Sequence, residues 1–339
     1  MTNASARSRG KVPSGRSNLT DERWQRPAAP DSNAPGVVIR HIAPSPERSH
    51  VFGDYHFAVG LAKAFLALGH TVRVDARSQW RDPVPKGTVS IMLRGLDPIP
   101  PDPNTISILW FIYPEKRFRP ATDELQLYNR VFFASSEALA HPVVKGSGVN
   151  ARLLYQAFDT SVMFSGAASP RSGITYVANN HRGFKGLRTM YRFGAETGVD
   201  INLWGRFWPE LPPNIHFRGK WLGNAEVGAT YRGSEIVLCD HVASMMNSGF
   251  ISNRIFDALA CAAPVISDRL PSLPEGFAPF VEMVSTPEEF ASAVEKIRNE
   301  GEAMKQARAE FARTMVERHS FDARARQIRD LLLGQTGTE

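Results

Sequence analysis

Short β-branched runs alternate with helical stretches along this chain, and the series occurs twice. VVIRHI opens the first at Gly36, and an amphipathic stretch, FAVGLAKAFLALGH, follows until Gly69 stops it. TVRVDA, VSIML (89–93), TISILWFI (105–112), VFFAS (131–135) and RLLY (152–155) then read as further buried strands. A second series opens with ITYVAN, a helix near 186–197 and DINLWG, and continues through HFRGK, EIVLCD and APVISD. Three helical stretches, near 287–298, 301–318 and 322–333, end the chain. Strands that alternate with helices predict parallel sheets covered on both faces.

The stretch between the two series, DTSVMFSGAASPRSG, is rich in Ser, Ala, Pro and Gly and reads as a linker. The expected organisation is a disordered tail over 1–35, an α/β domain over 36–157 and a linker over 158–173. A second α/β domain covers 174–318, and a final helix over 319–335 is able to return to the first domain. The tail expectation rests on composition, since residues 1–35 offer almost nothing to bury. It also holds six Lys/Arg against three Asp/Glu, half of the net charge of +6. The body is therefore only mildly basic and shows no basic–aromatic platform, which argues against nucleic acid as a partner. No apolar run reaches the ~18–20 residues of a membrane helix, and no apolar leader segment precedes the first strand. Cys239 and Cys261 sit in apolar stretches and read as reduced, buried thiols. The expectation is a cytoplasmic protein, with peripheral association at the inner face of the membrane open to it.

Chemistry concentrates in residues 247–268, NSGFISNRIFDALACAAPVISD. Ile255, Ala258, Leu259 and Ala262 recur at helical spacing, and Pro264 blocks continuation before a Val265-Ile266 strand. The loop SGFISNR precedes the first helical turn, where backbone N–H groups lack partners and the helix dipole is positive. Ser252, Asn253 and Arg254 add donors there, which makes a site for an anion such as phosphate. Asn253 and Asp257 share a helix face, and the carboxylate suits sugar hydroxyls. An ordinary helix with an Asn cap and a surface Asp would give the same pattern.

That stretch resembles the donor-binding signature of group 1 glycosyltransferases with the GT-B fold, near the spore-maturation-type branch. Asn253-Arg254, Phe256, Ala258-Leu259-Ala260-Cys261, Ile266 and Asp268 carry the resemblance. Asp257 stands where the family has Glu, Ala262 where it has Gly, and Gly249 where paired-glutamate families place the first Glu. The resemblance implies two doubly wound parallel-sheet domains facing across a cleft, with a nucleotide-diphosphate-sugar donor on the second. It further implies that Arg182 and Lys185 meet the donor diphosphate, and that the Trp204-Gly205 loop lies near the nucleotide base. It implies retention of anomeric configuration as well.

Other candidates come from strand ends that should face a cleft. Trp208 is a second aromatic at the Trp204 loop, and Asp240-His241 ends another strand. Asp54 and His56 precede the first helix, and Tyr113 and Glu115 follow a strand. Asp54, His56 and Glu115 are candidate bases for an acceptor hydroxyl, although Asp54 could equally cap the helix. No phosphate-loop, zinc or D-x-D pattern is present, so no metal and no cofactor is expected. The expected activity is metal-independent transfer of a sugar to the hydroxyl of a glycan, lipid-linked or secondary-metabolite acceptor. A nucleotide-sugar epimerase on the same fold and a non-catalytic nucleotide-sugar-binding scaffold are the alternatives.

Overall fold

A computed structural model describes residues 23–94, 100–114, 120–166, 170–180 and 187–333. The first series forms six parallel strands: β1 (Val37–Arg40), β2 (Val72–Asp75), β3 (Val89–Arg94), β4 (Ile106–Phe111), β5 (Arg130–Phe133) and β6 (Ala151–Leu153). Their order across the sheet is β2-β1-β3-β4-β5-β6. The second series forms β7 (Ile174–Val177), β8 (Ile201–Trp204), β9 (Ile215–Gly219), β10 (Ile236–Cys239), β11 (Val265–Asp268) and β12 (Val281–Val284). These lie in the order β12-β11-β10-β7-β8-β9, again all parallel. Strand order reverses between β1 and β3 in one sheet and between β7 and β10 in the other. Ligand crevices of open parallel sheets lie outside the carboxyl ends of strands at such points.

The first sheet is covered by α1 (Gly53–Ala67), and three short helices follow: α2 (Thr122–Gln126), α3 (Ser136–Leu139) and α4 (Pro142–Gly146). Helices α5 (Thr189–Thr197), α6 (Asn224–Gly233), α7 (Ala243–Asn247), α8 (Asn253–Ala260) and α9 (Pro287–Arg298) belong to the second series. Helices α10 (Glu302–His319) and α11 (Phe321–Leu332) end it. The break between these two is built by Ser320, whose backbone is extended and whose hydroxyl accepts from the Ala323 N–H. At this break the chain crosses to the first sheet beside its earlier crossing. Phe158 N–H donates to the His319 carbonyl at 3.2 Å, and Phe321 N–H to the Phe158 carbonyl at 3.0 Å. Phe321 then packs edge-on against Phe57 of α1, with ring centroids 4.7 Å apart, in the core of the first sheet. The described residues between Phe158 and Gly173 form no helix or strand beyond that bridge.

Two expectations are corrected. Helix α1 starts at Gly53, so Asp54 and His56 lie within its first turn rather than before it, and the cap position is Phe52. The disordered tail does not extend to residue 35. Trp24 is 5% exposed and clusters with Val38 and Val84. Gln25 bridges Val72 antiparallel to β2, and the Arg73 guanidinium lies 5.1 Å from the Trp24 ring centroid. One aromatic supplies what the polar composition concealed. The short helices α2, α3, α4, α6 and α7 and the strand β12 were not anticipated. All but α6 span four or five residues, too few for a periodic pattern to register.

The two sheets do not meet only through the crossing. Val242, Met245 and Phe250 leave the second series and are buried with Trp80, Leu109 and Phe133 of the first. Ser135 Oγ donates to the Ser248 carbonyl at 2.6 Å, and Ser136 Oγ and Ser272 Oγ are 3.2 Å apart. The segment leading into α8 is thus part of the contact between the two halves.

Candidate functional site

Two adjoining cavities open between the halves, of about 330 and 320 Å3, and Gly53, His56, Arg188, Asn224 and Arg254 line both. The inner one adds Asp54 and Tyr113 from the first half and Ser252, Asn253 and Asp257 from α8 and its cap. The outer one adds Asn179, Trp204, Gly205, Lys220 and Trp221 from the carboxyl ends of β7, β8 and β9. The structure therefore gathers Asp54, His56, Trp204, Gly205, Ser252, Asn253, Arg254 and Asp257 around one cleft. Glu115, Arg182 and Lys185 lie outside the described residues.

The start of α8 is held by His241. The Ser252 backbone N–H donates to His241 Nε2 at 2.8 Å, so Nδ1 carries the proton and donates to Asp268 Oδ1 at 2.6 Å. Asp268 Oδ2 accepts the His241 N–H at 2.9 Å. His241 is therefore a neutral, buried post between the ends of β10 and β11 and the helix start. This revises the anion-loop expectation: the Ser252 N–H is already engaged. Gly249 and Phe250, earlier in the same loop, face the first half rather than a ligand. Gly249 has φ +65°, and a Cβ there would lie 2.0 Å from Glu137 Oε2. A side chain at the position where paired-glutamate families carry a Glu would have to displace the Glu137 carboxylate and adopt a left-handed backbone.

Arg254 spans the reversal point of the second sheet. It donates to the Val177 carbonyl (2.6 Å) at the end of β7, to the Asp240 carbonyl (3.2 Å) after β10, and to Ser252 Oγ (3.1 Å). Arg188, which the sequence reading passed over, reaches the same place from the cap of α5. Its guanidinium pairs with Asp240 Oδ1, donates to the Asp240 carbonyl at 2.9 Å and to Tyr176 Oη at 3.3 Å. Asp240 is fully buried and also accepts from the Tyr176 hydroxyl at 2.7 Å. Burial alone would raise its carboxyl, but the Arg188 and Arg254 charges and these hydrogen bonds hold it below the usual range. Arg188 pairs with this ionised carboxylate, whereas Arg254 donates only to main-chain and hydroxyl oxygens, so among the described residues its charge has no carboxylate in direct contact where both cavities meet. The signal for Arg188 was its place just before a helix, in the loop that follows the first strand of the second series.

The remaining carboxylates do not cancel that charge firmly. Burial pushes Asp257 up to about 7 and Asp54 up to about 6, so each holds its proton more tightly than an exposed acid. Asn253 Nδ2 donates to both Asp257 oxygens at 3.1 Å, as the shared helix face implies. Asn253 Oδ1 is buried without a partner. His56 Nε2 donates to the His50 carbonyl at 3.0 Å, and burial lowers its pKa. Across the cleft its ring centroid is 6.5 Å from that of Trp221.

Of the two candidate aromatics, Trp204 lines the outer cavity. Trp208 turns away, stacking on Tyr191 at 4.9 Å and donating to the Ala178 carbonyl at 3.1 Å. Gly205 is obligatory: φ is +139°, and a Cβ would stand 1.7 Å from the Ala178 oxygen. Cys239 and Cys261 are free and buried. Among the described residues no group of three or more His, Cys, Asp or Glu is placed to hold a metal ion. Among them, too, no helix is long and apolar enough to cross a membrane.

Residues 186–330 match the family described as "Glycosyl transferase-like". No curated protein matches the chain by sequence. Among solved structures, AviGT4, a glycosyltransferase involved in avilamycin A biosynthesis, aligns with TM-score 0.60 at 15% identity, covering 88% of this chain and 99% of its own. Anabaena HepE in complex with UDP-glucose aligns with TM-score 0.58 at 11% identity, covering 88% and 99%. T4 phage BGT in complex with its UDP-glucose substrate gives 0.57 at 12%, covering 89% and 99%. Residues 186–330 therefore match a glycosyl transferase-like domain, and the chain as a whole has the GT-B fold seen in solved glycosyltransferases.

Proposed function

We propose that the protein moves a sugar from a nucleotide-diphosphate-sugar to an acceptor hydroxyl, without a metal and with retention of configuration. The observation that carries this reading is the pair of guanidiniums at the junction of both cavities, Arg188 on the buried Asp240 carboxylate and Arg254 on main-chain carbonyls with no carboxylate of its own among the described residues. A diphosphate leaving group gains negative charge as the sugar departs, and preorganised cations in a water-poor cleft stabilise that change. The nucleoside would lie in the outer cavity near Trp204 and Trp221. The Asp257–Asn253 pair lines the inner cavity, so its partnerless Asn253 Oδ1 suits hydroxyls of the transferred sugar, beyond the diphosphate, rather than the ribose. HepE and the phage enzyme were both observed with UDP-glucose, which makes UDP-sugars the first donors to test.

The acceptor would enter on the side of Asp54 and Tyr113. As the bond from the anomeric carbon to the diphosphate oxygen breaks, the acceptor oxygen bonds to that carbon from the same face. Its proton passes to the leaving phosphate oxygen or to Asp54. The acceptor is a hydroxyl of a glycan, a lipid-linked sugar or a secondary metabolite. The test is product analysis after incubation with a panel of nucleotide-sugars, with and without candidate acceptors and with chelator present. Sugar transferred, or slow release of nucleoside diphosphate, supports the reading. An epimerised donor with no transfer replaces it with the epimerase, and an untouched donor that binds replaces it with the scaffold.

A further inference from the structure

The carboxyl ends of β8 and β9 carry a groove that the proposed reaction leaves unused. It encloses about 490 Å3 and is lined by Phe207, Trp208, Leu211 and Phe217, with Arg206 and Lys220 at its edge. Phe207 is 45% exposed and Phe217 46%; Trp221, next along from Lys220, is 46% exposed. Trp221 faces the outer cavity, so the exposed aromatics of the groove itself are Phe207 and Phe217; single exposed apolar side chains are ordinary, but these two with Trp208 and Leu211 form a patch. Phe207 is held at φ +69°, a conformation that a bulky residue adopts only at a cost.

The cations at this rim have no carboxylate partners among the described residues. Arg218 donates to the neutral Asn202 Oδ1 at 2.7 Å, and the Arg206 guanidinium lies 5.6 Å from the Phe207 ring centroid. Lys220 is exposed with no hydrogen bond or ion pair. Exposed aromatics among unneutralised cations are the composition that settles into the headgroup region of an anionic bilayer: rings enter the acyl boundary while cations meet phosphates. We infer that the β8–β9 rim docks on an anionic lipid surface. Gly205 and Lys220 line this groove and the outer cavity alike, so docking would set the mouth of the cleft against the membrane. The groove adjoins the donor cleft at Gly205 and Lys220 but is lined mainly by residues the nucleotide reading does not use, so vesicle binding tests it independently of nucleotide binding.

The experiment is co-sedimentation of the full-length protein with phosphatidylcholine vesicles, with and without phosphatidylglycerol. Binding is expected only with phosphatidylglycerol and should weaken as salt is raised. Lys220→Glu should weaken it about fivefold or more, and Phe217→Ser about tenfold. Both side chains are exposed, so melting temperatures should stay close to wild type; if Phe217→Ser lowers its own, Lys220→Glu decides alone. Three results overturn the inference. One is no binding to either vesicle. Another is binding that both variants retain in full, which the basic tail would then carry. The third is self-association in gel filtration that the variants abolish while vesicle binding is absent, which would make the rim a contact between copies.

Discussion

Asp54 shows what one residue's surroundings decide. Its carboxyl belongs to the first turn of α1 and faces the inner cavity, where burial raises its pKa to about 6. A base must be ionised to accept the acceptor's proton, so turnover should fall as pH drops through about 6. Asp54→Asn should cut turnover by roughly 10–100-fold, within the range for a positioned acid–base group, while nucleoside diphosphate affinity stays near wild type. Full activity in the variant would assign the proton to the leaving phosphate alone. Gly249 is a second case, and here the sequence alone misled. A missing glutamate read as a departure from a family pattern; the structure shows a left-handed backbone there with the Glu137 carboxylate of the other half in the space a side chain would take. Gly249→Ala should destabilise by roughly 1–3 kcal/mol, from the left-handed backbone and the displaced Glu137. Denaturant unfolding indistinguishable from wild type would show that this contact yields freely.

Among elements, α8 was the most legible. Its apolar spacing through Leu259 and the Asn253–Asp257 face are sequence-local and appear as expected, but the helix ends at Ala260, so Ala262 lies past the helical face and the stop precedes Pro264. Even the Ala262 substitution has a physical trace: it occupies the helix C′ position at φ +51°, with the paired closing hydrogen bonds that usually favour glycine. The helix's attachments could not be read, because they depend on residues far along the chain. His241 posts its start, and Arg254 ties it to the ends of β7 and β10. Arg254 therefore has two duties. Arg254→Met should weaken nucleoside diphosphate binding by roughly 1.5–3 kcal/mol, the scale of a charged hydrogen bond. It should also lower the melting temperature of the unliganded protein, since the Val177 carbonyl loses its donor and the Asp240 carbonyl keeps only Arg188. A variant of normal stability with impaired binding would make the carbonyl contacts incidental, and unchanged binding would remove Arg254 from the donor site.

For the whole molecule, the two-series plan was legible because strand and helix periodicities are local and each series fills one sheet. The contact between the series was not, since it rests on scattered single residues such as Phe250, Met245 and Ser135. The N-terminal segment was misjudged for the same reason: one tryptophan, fixed by Val38, Val84 and Arg73, outweighs a polar composition. Trp24→Ala should destabilise by roughly 3–5 kcal/mol, as for a large buried aromatic. A cost under about 1 kcal/mol by chemical denaturation would mean the segment packs only loosely.

The most direct test of a charged donor site between the two halves is thermal stabilisation by UDP, GDP, dTDP, ADP and CDP, in the presence and absence of EDTA. The arrangement of Arg188, Arg254 and Asp240 predicts a rise in melting temperature with at least one of them that EDTA leaves intact. The same nucleotide should give a smaller rise in Arg254→Met. No shift with any nucleoside diphosphate, or a shift that EDTA abolishes, would contradict a donor site that works through its own arginines.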